Sequence, residues 1–128
     1  MARQGTTPII TLTIAVQRDE DGNIIPSTVL DGCNVFVTVD QDGTQITKSS
    51  RESNDIRITK VYDKDDPTRH IATNVALHLT QAETLGFEVG VARVHVRWVN
   101  IFGNAYATDI GTFNIDESLY QGVIAYGN

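Results

Sequence analysis

The residues able to do chemistry are few and scattered. The 128-residue chain has one cysteine, three histidines and 16 acidic residues. Cys33 opens the alternating run "CNVFVTVD", 33–40, on its apolar side. That setting suits a small buried hydrophobe in a reducing compartment and disfavours a reactive thiolate. With a single cysteine no internal disulfide can form. His78 and His95 fall on the polar sides of two strand-like runs, and His70 on a charged loop. If the two runs paired in register the first two imidazoles could approach, but zinc needs a third ligand and none stands nearby.

Two acidic stretches have spacings that could attract calcium. In "DEDGN", 19–23, Asp19, Asp21 and Asn23 repeat at odd positions, as in an EF-hand loop. The turn glycine belongs at the sixth position, which is Ile24, and the closing glutamate at Leu30. A polar turn is the simpler reading, and Asp63, Asp65 and Asp66 in "DKDDP" read the same way. No nucleophile elbow, P-loop, dinucleotide glycine pattern or H-E-x-x-H occurs. The expectation is therefore no enzyme, no metal and no cofactor.

One carboxylate sits in a distinctive place. Glu83 lies in "LTQAETLGF", 79–87, where Thr80-x-x-Glu83 fits a capping box. The threonine hydroxyl accepts from the Glu83 N–H, and the carboxylate from the Thr80 N–H. Glu83 is thus expected to cap one helical turn rather than to serve as a catalytic acid. Gly86 is expected to end that turn with positive φ, with Leu85 and Phe87 facing inward.

The elements around this turn read as strands with period-2 alternation. Seven runs qualify: 9–16, 33–40, 44–49, 56–62, 71–80, 91–100 and 105–115. Ile10, Leu12, Ile14 and Val16 share one face, as do Cys33, Val35, Val37 and Val39, and Ile71, Val75, Leu77 and Leu79. Asp42-Gly43 marks a tight hairpin. The return strand 44–49 reads as a sheet edge protected by Lys48. The apolar parity shifts at Val61, which predicts a bulge or strand end. Gly111 is expected to absorb a similar shift before Phe113 and Ile115. In "VARVHVRWVN", 91–100, Ala92, Val94, Val96 and Trp98 form the apolar face. Arg93, His95 and Arg97 form the other.

That basic row stands out in a chain with 16 acidic and 10 basic residues and net charge −6. It reads either as a solvated outer face or as a docking surface for an acidic patch. Phe36, opposite the core face of its strand, is a candidate interface anchor unless the long loop 17–32 covers it. The overall charge disfavours nucleic acid and anionic membranes as partners. No run approaches the roughly 18 apolar residues of a membrane span. The opening "MARQGTTPII" has no signal-peptide core, so synthesis in a cytoplasm is expected. Finally, "DESLYQGVIAYGN", 116–128, places Leu119, Tyr120, Val123, Ile124 and Tyr126 after the last strand. These must dock on the same chain or on a neighbour.

Seven short strands with one corner helix in this length predict an all-β fold, an immunoglobulin-like antiparallel β-sandwich. The Cys…Trp…Cys hallmark of antibody domains is absent. The opening "MARQGTTP", 1–8, resembles that of short virion-associated proteins of tailed phages and prophages of Gram-positive gut bacteria. "VALHLTQAETLGFEVGVARVHVRWVNIFGNAYATDIGTFNI", 75–115, is similar to the same family in its L-T-Q-x-E-T-L-x-F turn, its glycine-asparagine turn and its A-x-D-I strand. The ending 116–128 looks like theirs. "LDGCNVFVTV", 30–39, is similar to the entry strand of phage upper-baseplate immunoglobulin-like domains. The chain departs from the pattern in loop 17–32 and in 50–70, which are longer.

The resemblance implies a bacteriophage virion structural protein at the baseplate, tail or head surface, present in multiple copies, with no catalysis and no cofactor. Its organisation would be an arm 1–8, a sandwich domain 9–115 and a docking tail 116–128. The expected partners are other virion proteins or further copies of the same chain, met through its termini and sheet edges, with strand 44–49 as the edge candidate. The alternative is a carbohydrate-binding module at a tail tip that contacts a host glycan, with Phe36, Tyr62, Tyr106 and Tyr120 as its aromatic candidates.

Overall fold

The computed structural model describes residues 2–119 and 121–126. Its strands are β1 (Ala2–Arg3), β2 (Ile9–Ala15), β3 (Asn34–Gln41), β4 (Thr44–Ser49), β5 (Ile56–Tyr62), β6 (His70–His78), β7 (Gly90–Val99), β8 (Ala105–Ala107) and β9 (Gly111–Asp116). One helix, α1 (Gln81–Leu85), joins β6 to β7, and a 3-10 turn covers Pro26–Thr28. The strands form two sheets. One runs β1-β9-β7-β3-β4, with β8 also on β7, and the other runs β2-β6-β5.

This is the immunoglobulin arrangement in outline. Strands β2, β6 and β5 stand where B, E and D stand. Strands β4, β3, β7 and β9 take the places of C′, C, F and G. The first strand differs: β1 pairs in parallel with β9, Ala2 opposite Ile115, and not with β2. Residues 2–4 of the expected N-terminal arm are therefore built into the sheet, with Ala2 and Gln4 buried.

Alternation puts one face of each strand into the space between the sheets. Across the central pair, Val35 lies opposite Trp98, Val37 opposite Val96 and Val39 opposite Val94. All six are buried, and Val75, Leu77 and Leu79 of the facing sheet meet them in one core with Phe87. Each such side chain contributes about 1.5–3 kcal/mol on leaving water. The Trp98 indole N–H donates to the Ser27 carbonyl at 3.0 Å. Loop 17–32 therefore covers the end of the core over Trp98.

The Asp42-Gly43 hairpin forms with φ of 49° and 94°, the pair of positive angles that matches strand twist. Register shifts between Val61 and Tyr62, as the parity change predicts. Other local expectations need correction. Ile71 is exposed and Thr73 is buried in its place. The shift is fixed by His70, whose Nε2 lies 2.7 Å from the Ala72 carbonyl and 3.2 Å from Thr73 Oγ1.

The single run 105–115 is two strands. Both pair with β7, and between them Thr108 takes over: its N–H donates to the Val96 carbonyl at 2.9 Å, and its hydroxyl accepts from the Val96 N–H at 3.0 Å. The parity change falls in that 108–110 bulge, ahead of Gly111. Gly86 ends α1 at φ −73°, in the right-handed region, and its N–H donates to the Ala82 carbonyl at 3.1 Å. A positive angle is not needed there.

Candidate functional site

The capping box forms as read. The Thr80 N–H donates to Glu83 Oε1 at 2.8 Å, and the Glu83 N–H donates to Thr80 Oγ1 at 3.2 Å. Glu83 has a further partner that local sequence does not show. Lys48 Nζ lies 2.8 Å from Glu83 Oε1 and 2.8 Å from Asp55 Oδ2, and it donates to the His78 carbonyl at 3.1 Å. Lys48 pairs with Val37, a core residue, so its side chain starts on the inner face of the edge strand. It does not project outward as an edge guard. It crosses from one sheet to the other and closes the side of the sandwich where β4 lies near β5.

Electrostatics follow from that geometry. Burial alone would lower the lysine pKa, but the hydrogen bonds to Asp55 and Glu83 outweigh it and hold the ammonium above its ordinary value. Burial would raise Glu83, but Lys48 and the Thr80 N–H outweigh it and hold its carboxyl below the usual range. The Lys48 hydrogen bond likewise holds Asp55 below. Lys48, Asp55 and Glu83 thus tie the two sheets together.

The basic row lies on the outer face of β7 as predicted, but its charges are not equivalent. Arg93 pairs across the sheet with Asp40, Nη2 to Oδ2 at 2.6 Å. That bond lowers the Asp40 pKa and raises that of Arg93. His95 stands opposite Thr38, and Arg97 opposite Phe36. Among the described residues Arg97 makes no ion pair, so the row offers a partner one unopposed guanidinium beside a half-buried ring. Phe36, Arg97, Val99 and Ala105 line a shallow notch of about 320 Å³.

His78 and His95 lie in different sheets, so the imagined imidazole pair does not exist. His78 Nδ1 is 3.7 Å from Asp55 instead. In 19–23 the Asp19 carboxylate accepts from the N–H groups of Asp21 and Asn23 at 3.0 and 2.9 Å, as a polar turn requires. Asp63 and Asp66 accept from backbone N–H groups two residues on. Burial, then the charge of Asp31, raises the Cys33 pKa, the direction of an inert thiol.

The aromatic candidates do not converge. Phe36 lies on the outer face of one sheet, and Tyr62 lies on an edge strand of the other, 5.7 Å from the His70 ring. Tyr106 packs inward, 6.3 Å from Trp98. Tyr120 lies outside the described residues.

The tail is the most unusual surface. Among its described residues the backbone is held and the apolar side chains of Leu119, Val123, Ile124 and Tyr126 are exposed. Gln81 reaches out from α1: its Nε2 donates to the Ile124 carbonyl at 2.9 Å and its Oε1 accepts from the Ile124 N–H at 2.7 Å. Gln4 donates to the Phe87 carbonyl at 2.6 Å, while its Oε1 accepts from Ser118 N–H and Gln121 Nε2. Arg3 donates to the Glu117 carbonyl at 2.6 Å. A primary amide carries one donor side and one acceptor side, as a peptide unit does, so it can stand in for a strand neighbour. Yet Leu119 is 97% exposed, Val123 61%, Ile124 62% and Tyr126 fully so. Gln4 and Gln81 belong to this site, and sequence reading missed them because an isolated glutamine carries no pattern.

Among the described residues no helix is long and apolar enough to cross a membrane. Comparison with family models, curated proteins and solved structures finds no match to this chain.

Proposed function

We propose that the chain is a structural component of a tailed-phage virion, a rigid immunoglobulin-like unit that docks to other virion proteins through its C-terminal tail. One observation carries the docking role. Leu119, Val123, Ile124 and Tyr126 face solvent on a backbone pinned by Gln4 and Gln81. Exposed apolar side chains on a held segment are the anchors of an interface, since ordering costs are already met before the partner arrives. The virion assignment is supported by the resemblance of both ends and of 75–115 to phage virion-associated proteins. A role in binding geometry also accords with polar groups committed to clamps and caps.

The test uses particles. Mass spectrometry of purified virions from a host carrying this gene is expected to find the chain. A variant with Leu119→Asp, Val123→Asp and Ile124→Asp keeps the fold, because these side chains make no core, and is expected to be missing from the particles. Full incorporation of that variant would remove the tail from the docking surface. Absence of the wild-type chain from particles would remove the virion role.

A further inference from the structure

The strand β2 is an unguarded sheet edge. Among the described residues it pairs only with β6 and stands at the end of its sheet. In the immunoglobulin arrangement the position beside B is filled by strand A. Here β1 has gone to β9 instead, so that position is vacant in the described chain. Sheet edges are normally protected by charge, brevity or cover. β1 has two residues, β5 carries Arg57 and Lys60, and β4 is bridged by Lys48. β2, "IITLTIA", has seven residues and no charge.

Its register says what it offers. The Val16 N–H donates to Ile71, and the Leu79 N–H donates to Pro8, at the two ends of the β2–β6 ladder. Between them Ile10, Leu12 and Ile14 face Leu77, Val75 and Thr73. In an antiparallel ladder bonded pairs recur every second residue. The even-numbered residues thus bond β6, and Ile9, Thr11, Thr13 and Ala15 turn their N–H and C=O groups to the open side. Ile10 and Leu12 point into the sandwich yet remain only half-buried, with no described strand beyond them.

We propose that β2 is a dimer seam, paired antiparallel with β2 of a second copy about a twofold axis at Leu12. The strand is self-complementary in that register. Thr11 meets the partner's Thr13, Ile10 meets the partner's Ile14, and Leu12 meets the partner's Leu12. Inward apolar residues meet inward apolar residues, and the hydroxyls meet on the outer face. No charge opposes another across the seam, in a chain whose net charge of −6 otherwise repels its copies. The two three-stranded sheets become one of six strands. The seam does not depend on the virion reading, and the isolated chain tests it.

Light scattering over a concentration series is expected to show the mass rising toward twice 14.1 kDa. Thr13→Pro removes an open-side N–H and the Thr13 Oγ1 bond to Asn74 but spares the backbone ladder to β6, so it should leave the circular dichroism spectrum unchanged and the mass monomeric. Should that variant misfold, the Thr11→Lys, Thr13→Lys pair sets lysines against lysines and should give the same monomer. In a Cys33→Ser background, mixing Thr11→Cys chains with Thr13→Cys chains should give an oxidised dimer. Bonded strand partners lie about 5.5 Å apart at Cα, within disulfide reach. Either chain alone should crosslink far less. A wild-type chain that stays monomeric at every concentration overturns the seam, and so does a dimer that survives the folded proline or lysine variants.

Discussion

Lys48 shows how one cation can hold two layers together. Its ammonium serves Asp55, Glu83 and a carbonyl at once, with its side chain 10% exposed. Lys48→Met would leave two carboxylates without their counter-ion. The cost lies between that of an exposed pair and a buried one, about 2 kcal/mol at neutral pH. The pH dependence has a definite sign. Asp55 and Glu83 have lowered pKa values, so their contribution is present above the ordinary carboxylate range and is lost as pH falls through the folded values. Lys48 is raised, so its contribution persists below the ordinary lysine value and fades only as pH rises past the folded one. Urea titrations of wild type and Lys48→Met should therefore differ at pH 7 and converge in acid, below the folded carboxylate pKa values. A gap that stays constant with pH would show that the clamp is not electrostatic. Thr80→Ala, which removes the hydroxyl from the capping box, should cost about 1 kcal/mol in the same assay.

At the level of elements the strands were legible and their neighbours were not. Val35, Val37 and Val39 announce a buried face by alternation alone, and Asp42-Gly43 announces its turn, because both signals are local. The parity break at Val61 falls at a register shift, where the residue left over is Ile71 on the opposite strand. What escaped was set by distant partners. Thr108 splits the 105–115 run by bonding Val96, and Ala2–Arg3 becomes a strand only because Ile115 and Asp116 stand beside it. Lys48 reads as an outward guard until Val37 is known to be its neighbour across the pair. The glutamine clamps are of this kind too. Gln81→Ala should free the backbone of 122–126 while leaving the sandwich intact. Amide hydrogen exchange is expected to speed up at Ile124 by at least tenfold, the loss of a bond of about 1.4 kcal/mol, with the melting temperature nearly unchanged. Unaltered exchange there would mean that the amide does not hold the tail.

The whole molecule is a sandwich with an asymmetric edge set, and its core sets its stability. Phe87 is 1% exposed at the junction of α1 and β7, where both sheets meet the corner. Phe87→Ala should cost about 3–5 kcal/mol, a large share of a small domain's total. Calorimetry would register this as a steep fall in melting temperature. Aspartates at Leu119, Val123 and Ile124 should leave calorimetry unmoved, so the measurement separates what builds the unit from the proposed docking surface. The basic row, by contrast, is divided: Arg93 belongs to the sheet through Asp40, and among the described residues Arg97 makes no ion pair.

The parallel pairing of Ala2 with Ile115 has a consequence for how the molecule comes into being. A ribosome releases residue 115 more than a hundred positions after residue 2. Every other strand pairing joins residues nearer in sequence, yet β1 must wait for β9. Contacts so far apart in sequence close late. The corner where Arg3 and Gln4 hold Glu117, Ser118 and Gln121 is thus among the last parts of the fold to close, after the strands between them have paired.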